Sequence, residues 1–170
     1  MDLRTVVRDV PDFPQPGILF RDVTPILQDA DALEEAVNQI CDQLKDLEFD
    51  YILGPESRGF IFGVPVAVAM HKGFVPIRKP GKLPCEVVSK AYDLEYGSNV
   101  LEMHKDALKP GDKVVVVDDL IATGGTSKAI CELVESVGAE VVSMNFLIEL
   151  SGLNGRELLK DYRVQSVLVY

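Results

Sequence analysis

The chain has 170 residues, 47% of them hydrophobic and 26% charged, enough for one folded core and too apolar for a disordered segment. Its net charge of −10 and isoelectric point near 4.6 exclude nonspecific attraction to nucleic acid or an anionic membrane. Cys41, Cys85 and Cys131 form no Cys-x-x-Cys pair and read as free thiols of a reducing compartment, not as a disulfide or zinc framework.

The start, Met1-Asp2-Leu3-Arg4, places charge where a secretory leader needs an apolar run. The most apolar stretch, Phe60 to Met70, contains Gly63 and Pro65 and falls short of a membrane span. The expectation is a single cytoplasmic domain with no membrane or nucleic-acid partner. Residues 1–29 carry Pro11, Pro14, Pro16 and Pro25 and predict an ordered loop with a brief extended piece. Leu33, Ala36, Val37, Ile40, Leu44 and Leu47 share one helical face, with Asp31 and Glu34 giving a capped start.

Tyr51 to Gly54 reads as a strand, Pro55 to Gly59 as a tight polar turn and Phe60 to Met70 as a helix, the first βα unit of a parallel sheet. Phe74 to Arg78 is a second strand running into Arg78-Lys79-Pro80-Gly81-Lys82. Three cations in five residues of so acidic a chain suit a polyphosphate. From Leu83 to Tyr92 no period holds, which predicts a mobile, lid-like loop that Asp93 to Gly97 closes before a return strand at Asn99 to His104.

The centre of the chain is Val114 to Thr126. Four consecutive valines predict a strand buried on both faces, with Asp118 and Asp119 at its C-terminal end, where open α/β sheets place their ligand crevice. Ala122-Thr123-Gly124-Gly125-Thr126-Ser127 follows, small and hydroxylated, leading into a helix whose first N–H groups are free to bind an anion. The pattern is a phosphate cradle beside two carboxylates suited to diol hydroxyls or a metal. Ile130, Leu133, Val134 and Val137 give the helix an apolar face ending at Gly138. A strand from Glu140 to Ile148, a short helix from Asn154 to Lys160 and an edge strand from Ser166 to Tyr170 complete the chain. His71 and His104 have no partner at metal-ligand spacing and read as incidental.

The run from Val114 to Thr126 resembles the phosphoribosyl-pyrophosphate (PRPP) signature of type I phosphoribosyltransferases. Phe-Pro-x-Pro-Gly at 13–17, Glu-Ser-Arg-Gly-Phe at 56–60, Arg-Lys-Pro-Gly-Lys-Leu-Pro at 78–84 and Tyr-Asp-Leu-Glu-Tyr-Gly at 92–97 are similar to the adenine-specific members. The resemblance spans nearly the full chain. It implies an α/β fold: a mostly parallel twisted central sheet flanked by helices, a small N-terminal hood over the purine site (1–30) and a flexible catalytic loop (79–98). It further implies transfer of a phosphoribosyl group from PRPP to adenine, giving AMP and pyrophosphate, with Mg²⁺ held through PRPP and water rather than directly by the protein, and a homodimer.

By the same resemblance Asp118 and Asp119 contact the ribose hydroxyls, and residues Ala122, Thr123, Gly124, Gly125, Thr126 and Ser127 hold the 5′-phosphate. Arg58, Arg78 and Lys82 bind pyrophosphate, and the Glu56–Ser57 peptide is cis. Leu19, Arg21 and Leu150 line the adenine pocket, and Tyr96 belongs to the closing loop. Ala122 stands where hypoxanthine-guanine relatives carry an aspartate for proton exchange with the purine, so Glu95 is the candidate for that exchange. Two alternatives share these motifs: a non-enzymatic PRPP sensor and a transferase for another base such as xanthine. The sensor usually adds a DNA-binding winged helix, for which this chain has neither the length nor a basic face.

Overall fold

The computed structural model describes residues 1–93 and 97–170. Its core is a five-stranded, wholly parallel sheet whose strands lie in the spatial order Gly73–Ile77, Tyr51–Pro55, Lys113–Ile121, Glu140–Glu149, Val164–Val169. In chain order, β1 (Arg8–Pro11) and β2 (Leu19–Asp22) form an antiparallel hairpin after a 3₁₀ turn at Leu3–Thr5, and α1 (Thr24–Gln28) and α2 (Ala30–Leu44) follow. β3 (Tyr51–Pro55), α3 (Arg58–Ala69) and β4 (Gly73–Ile77) come next, then an antiparallel ribbon of β5 (Val87–Asp93) and β6 (Ser98–His104). The second half is β7 (Lys113–Ile121), α4 (Gly125–Ser136), β8 (Glu140–Glu149), α5 (Gly155–Leu158) and β9 (Val164–Val169).

The valines of β7 divide between two cores. Val114 and Val116 join Leu53, Ile77, Ile130, Leu133 and Phe146 on the α4 side. Val115 and Val117 join Ile40, Leu44, Ile52, Phe62 and Leu147 on the side of α2 and α3. All four valines are fully buried. Burying each such side chain stabilises the fold by about 1.5–3 kcal/mol relative to exposure, which makes β7 the spine of the molecule.

The fold departs from the sequence expectations in several places. Residues 8–22 form a hairpin where the prolines predicted a loop, because cross-strand ion pairs replace apolar alternation: Arg8 meets Asp22 at 2.6 Å, and Arg21 meets Asp9. The cap of α2 is Asp29 rather than Asp31. Its extended backbone brings its carboxylate 3.0 Å from the Ala32 N–H. The segment from Leu83 to Tyr92 is not all loop, since Val87–Asp93 pairs residue for residue with Ser98–His104. Its inward positions are Val88, Lys90 and Tyr92, and a lysine among them hides the period of 2. Lys90 is accommodated by Glu132 of α4 at 3.1 Å. The helix expected at 154–160 is the shorter α5, and β7 runs on past its acids to Ile121.

Candidate functional site

The site arises from a mismatch in strand pairing. β3 accompanies β7 only as far as Leu53↔Val116, whereas β8 continues to Ile121↔Glu149. Beyond Val116 that edge of β7 has no strand partner: Gly54 and Gly59 approach it closely at Val117 and Asp118, and Asp118 and Asp119 lie in this unpaired stretch. The β3–α3 turn faces this edge. Together, residues 55–58 and 118–127 line a cavity of about 280 Å³ at the carboxyl end of the sheet.

Inside the cavity, Asp119 is only 4% exposed, and its carboxylate is 2.9 Å from Arg58 Nε. The Asp119 N–H donates to the Asp118 carboxylate at 2.8 Å. Burial, and then the neighbouring Asp119 charge, push the Asp118 carboxyl well above the usual carboxylate range, against the opposing pull of Arg58. Two adjacent acids thus share one cation, and a ligand offering hydroxyl donors would relieve them.

Ala122 to Gly124 and the first turn of α4, Gly125 to Ser127, line the same cavity, with Gly124 as the N-cap at φ +88°. Anions are favoured at such a helix start by free N–H groups and by the helix dipole. A Cβ on Gly124 would sit 2.8 Å from the Gly155 carbonyl oxygen, and one on Gly155 would sit 2.6 Å from the Ala122 carbonyl oxygen. The first residue of α5 therefore backs the loop from outside the cavity.

Arg156 fixes α5 in turn. It donates through Nε and Nη2 to the two carboxylate oxygens of Glu149, at 2.7 and 2.9 Å, and through Nη1 to the Val164 carbonyl at 2.8 Å. Ser166 donates to the same carboxylate at 2.6 Å. The Arg156 guanidinium, with the Ser166 hydroxyl, holds the Glu149 carboxyl below the usual carboxylate range. The sequence places no role on Arg156, Gly155 or Glu149, because no local spacing marks a contact between α5 and the end of β8.

The other expected residues lie at differing distances from the cavity. The Glu56–Ser57 peptide is cis. Glu56, at the cavity wall, accepts from the Lys79 N–H at 2.8 Å and from Arg78 Nε at 3.1 Å, tying the β3–α3 turn to the basic segment after β4. Lys82 is exposed and, like Arg78, is not among the cavity-lining residues. Leu150 is half-buried, and its N–H donates to the Ile121 carbonyl at 3.0 Å, next to the cavity. Leu19 is exposed on β2. Arg21 packs 4.1 Å over the Tyr170 ring, and the Tyr170 carbonyl accepts from the Ser151 N–H beside Leu150, so the hairpin and the end of β8 meet at Tyr170. Glu95 and Tyr96 lie outside the described residues. The three cysteines are free: Cys85 exposed, Cys41 half-buried and Cys131 buried.

Comparison with known proteins fits this geometry. The family model described as phosphoribosyl transferase domain matches residues 22–168. An adenine phosphoribosyltransferase of Agathobacter rectalis is 61% identical, over 99% of this chain and 97% of the relative. The crystal structure of adenine phosphoribosyltransferase from Thermoanaerobacter pseudethanolicus superposes with a TM-score of 0.96 at 48% identity, covering 99% of this chain and 98% of that one. The Saccharomyces cerevisiae enzyme, complexed with an imino-altritol bisphosphate and adenine, superposes with a TM-score of 0.92 at 40% identity, covering 98% of this chain and 96% of that one.

Proposed function

The chain belongs to the phosphoribosyltransferase family, and from that membership we propose that it is an adenine phosphoribosyltransferase of purine salvage, converting adenine and PRPP to AMP and pyrophosphate. One observation carries the reading: the two acids of β7, beyond its pairing with β3, and the small residues at the start of α4 line a single cavity. That arrangement suits a sugar bearing a diol on one side and a phosphate on the other.

In the proposed reaction the bond from the anomeric carbon to the pyrophosphate oxygen breaks, a bond to adenine N9 forms and the N9 proton is lost. Positive charge develops on the sugar as the leaving group departs, as in glycoside cleavage, and the carboxylates of Asp118 and Asp119 favour it electrostatically. Ribose hydroxyls donating to Asp118 offset the burial and like charge that raise its carboxyl, so diol binding favours its ionised form. Arg58 engages Asp119 through Nε and offers the rest of its guanidinium to pyrophosphate, with Arg78 and Lys82 beyond it. The N–H groups and hydroxyls of residues 122–127 hold the 5′-phosphate, a remote handle whose binding energy serves the reacting centre. Glu95 exchanges the purine proton, a role Ala122 cannot take. Leu19, Arg21 and Leu150 border adenine, and Tyr96 joins the closing loop.

Mg²⁺ belongs to this proposal. The ion is held through PRPP and water rather than directly by the protein, with the Asp118 and Asp119 carboxylates lining the cavity as acceptors for its waters. Such an arrangement fits a small hard cation that keeps most of its waters and binds substrate oxygens. When bound, it would neutralise charge on the departing pyrophosphate. We also propose a cytoplasmic homodimer. Among the described residues no helix is long and apolar enough to cross a membrane. Ile61, Val64 and Val68 leave an exposed apolar stripe on α3 that a second copy would cover, which sedimentation equilibrium checks by giving twice the chain mass.

Product analysis tests the reaction itself. Incubation with adenine, PRPP and Mg²⁺ yields AMP and pyrophosphate in equal amounts; consumption of PRPP without AMP contradicts the proposal.

A further inference from the structure

The ribbon of β5 and β6 touches the phosphate loop through one polar contact. The Tyr92 hydroxyl lies 3.0 Å from Thr126 Oγ1, with either oxygen able to donate. Thr126 lies in the first turn of α4 and lines the cavity. The Tyr92 ring packs against the α4-side core and over Gly125, where an added Cβ would meet ring carbons at 3.7 and 3.9 Å. The ring is thus held by packing, while its hydroxyl addresses Thr126.

A threonine hydroxyl has one proton to give, whereas a phosphate offers only acceptor oxygens. If Thr126 spends that proton on a phosphate, it can meet Tyr92 only as an acceptor, and Tyr92 must donate. We infer that Tyr92 is a positioning residue: its hydroxyl donates to Thr126 Oγ1 and so directs the Thr126 proton toward the 5′-phosphate. The inference rests on the cavity being the PRPP site. Without ligand the contact can take either polarity; phosphate selects one, and each bond of the resulting chain polarises the next.

A double-mutant cycle tests this, with Kd for PRPP and for ribose 5-phosphate measured by calorimetry on Tyr92→Phe, Thr126→Val and the double variant. Tyr92→Phe keeps the ring packing and deletes only the donor, so a purely structural role would leave it silent. The expected result is a weakening of both ligands by about three- to tenfold, the usual scale of one lost hydrogen bond. In steady state the change falls on the PRPP KM and leaves the adenine KM unmoved. In the Thr126→Val background the tyrosine substitution has no further effect. Unchanged Kd values for Tyr92→Phe, or an equal loss in both backgrounds, would overturn the inference. Absence of any PRPP binding by the unmodified protein would overturn the reading of the cavity, and the inference with it.

Discussion

Replacing Arg156 with methionine isolates the element that backs the phosphate loop. The substitution keeps the aliphatic stem and removes three donated hydrogen bonds, leaving the Glu149 carboxylate, among the described residues, with Ser166 as its donor. Breaking a buried ion pair by truncating one partner costs about 3–5 kcal/mol. Here the Glu149 side chain is 8% exposed but Arg156 is 49% exposed, so solvent screening brings the expected loss to about 2–3 kcal/mol. For a domain of this size each kcal/mol lowers Tm by about 2–4 °C, so a fall of about 5–10 °C is expected at pH 7. The effect depends on pH with a definite sign. Arg156 depresses the folded-state pKa of Glu149, so this stabilisation is present above the ordinary glutamate value of about 4.3 and is lost as pH falls through the lower folded value. Thermal melts of both proteins at a series of pH values between 7 and 3 measure it. A Tm loss below about 1 °C at pH 7, or a difference that does not shrink below about pH 4.3, would refute the reasoning.

Three further outcomes follow from the same geometry. Gly155→Ala places a methyl group 2.6 Å from the Ala122 carbonyl oxygen and must displace the loop, so kcat/KM for PRPP falls about ten- to a hundredfold; unchanged kinetics would show that the loop is not set from this side. Asp119→Asn preserves shape and a hydrogen bond to Arg58 but removes charge beside the reacting sugar, and kcat falls by about 10²-fold or more with Tm nearly intact. Full activity in a stably folded Asp119→Asn protein would defeat its assignment. For Glu95→Ala the expected fall in kcat is about 10²–10⁴, the range for a general acid or base, and a near-normal kcat would remove Glu95 from proton transfer.

The central βα units were legible in the chain because their signals are local. Four valines mark a strand buried on both sides, and a small-residue loop after two acids marks the turn that follows. Alternation of Val114 to Val117 between two cores is the physical content of that pattern. The hairpin of β1 and β2 was not legible, since ion pairs between residues 12 to 14 apart hold it rather than a hydrophobic period. β5 was hidden for a related reason: Lys90 occupies an inward position that only its partner on α4 makes tolerable. The backing of the phosphate loop by Gly155 and Arg156 is tertiary altogether. No spacing in the sequence reveals that α5 meets the loop, or that Glu149 at the end of β8 waits for its arginine.

The most direct test of the central claim is a coupled pyrophosphate-release assay with PRPP and Mg²⁺, offering adenine, hypoxanthine, guanine and xanthine separately. The account predicts rapid release with adenine and background rates with the other three bases. Release with another base but not adenine would overturn the assignment of the base while leaving the PRPP cavity in place. Silence with every base, from a protein that binds PRPP by calorimetry, would contradict the enzymatic reading.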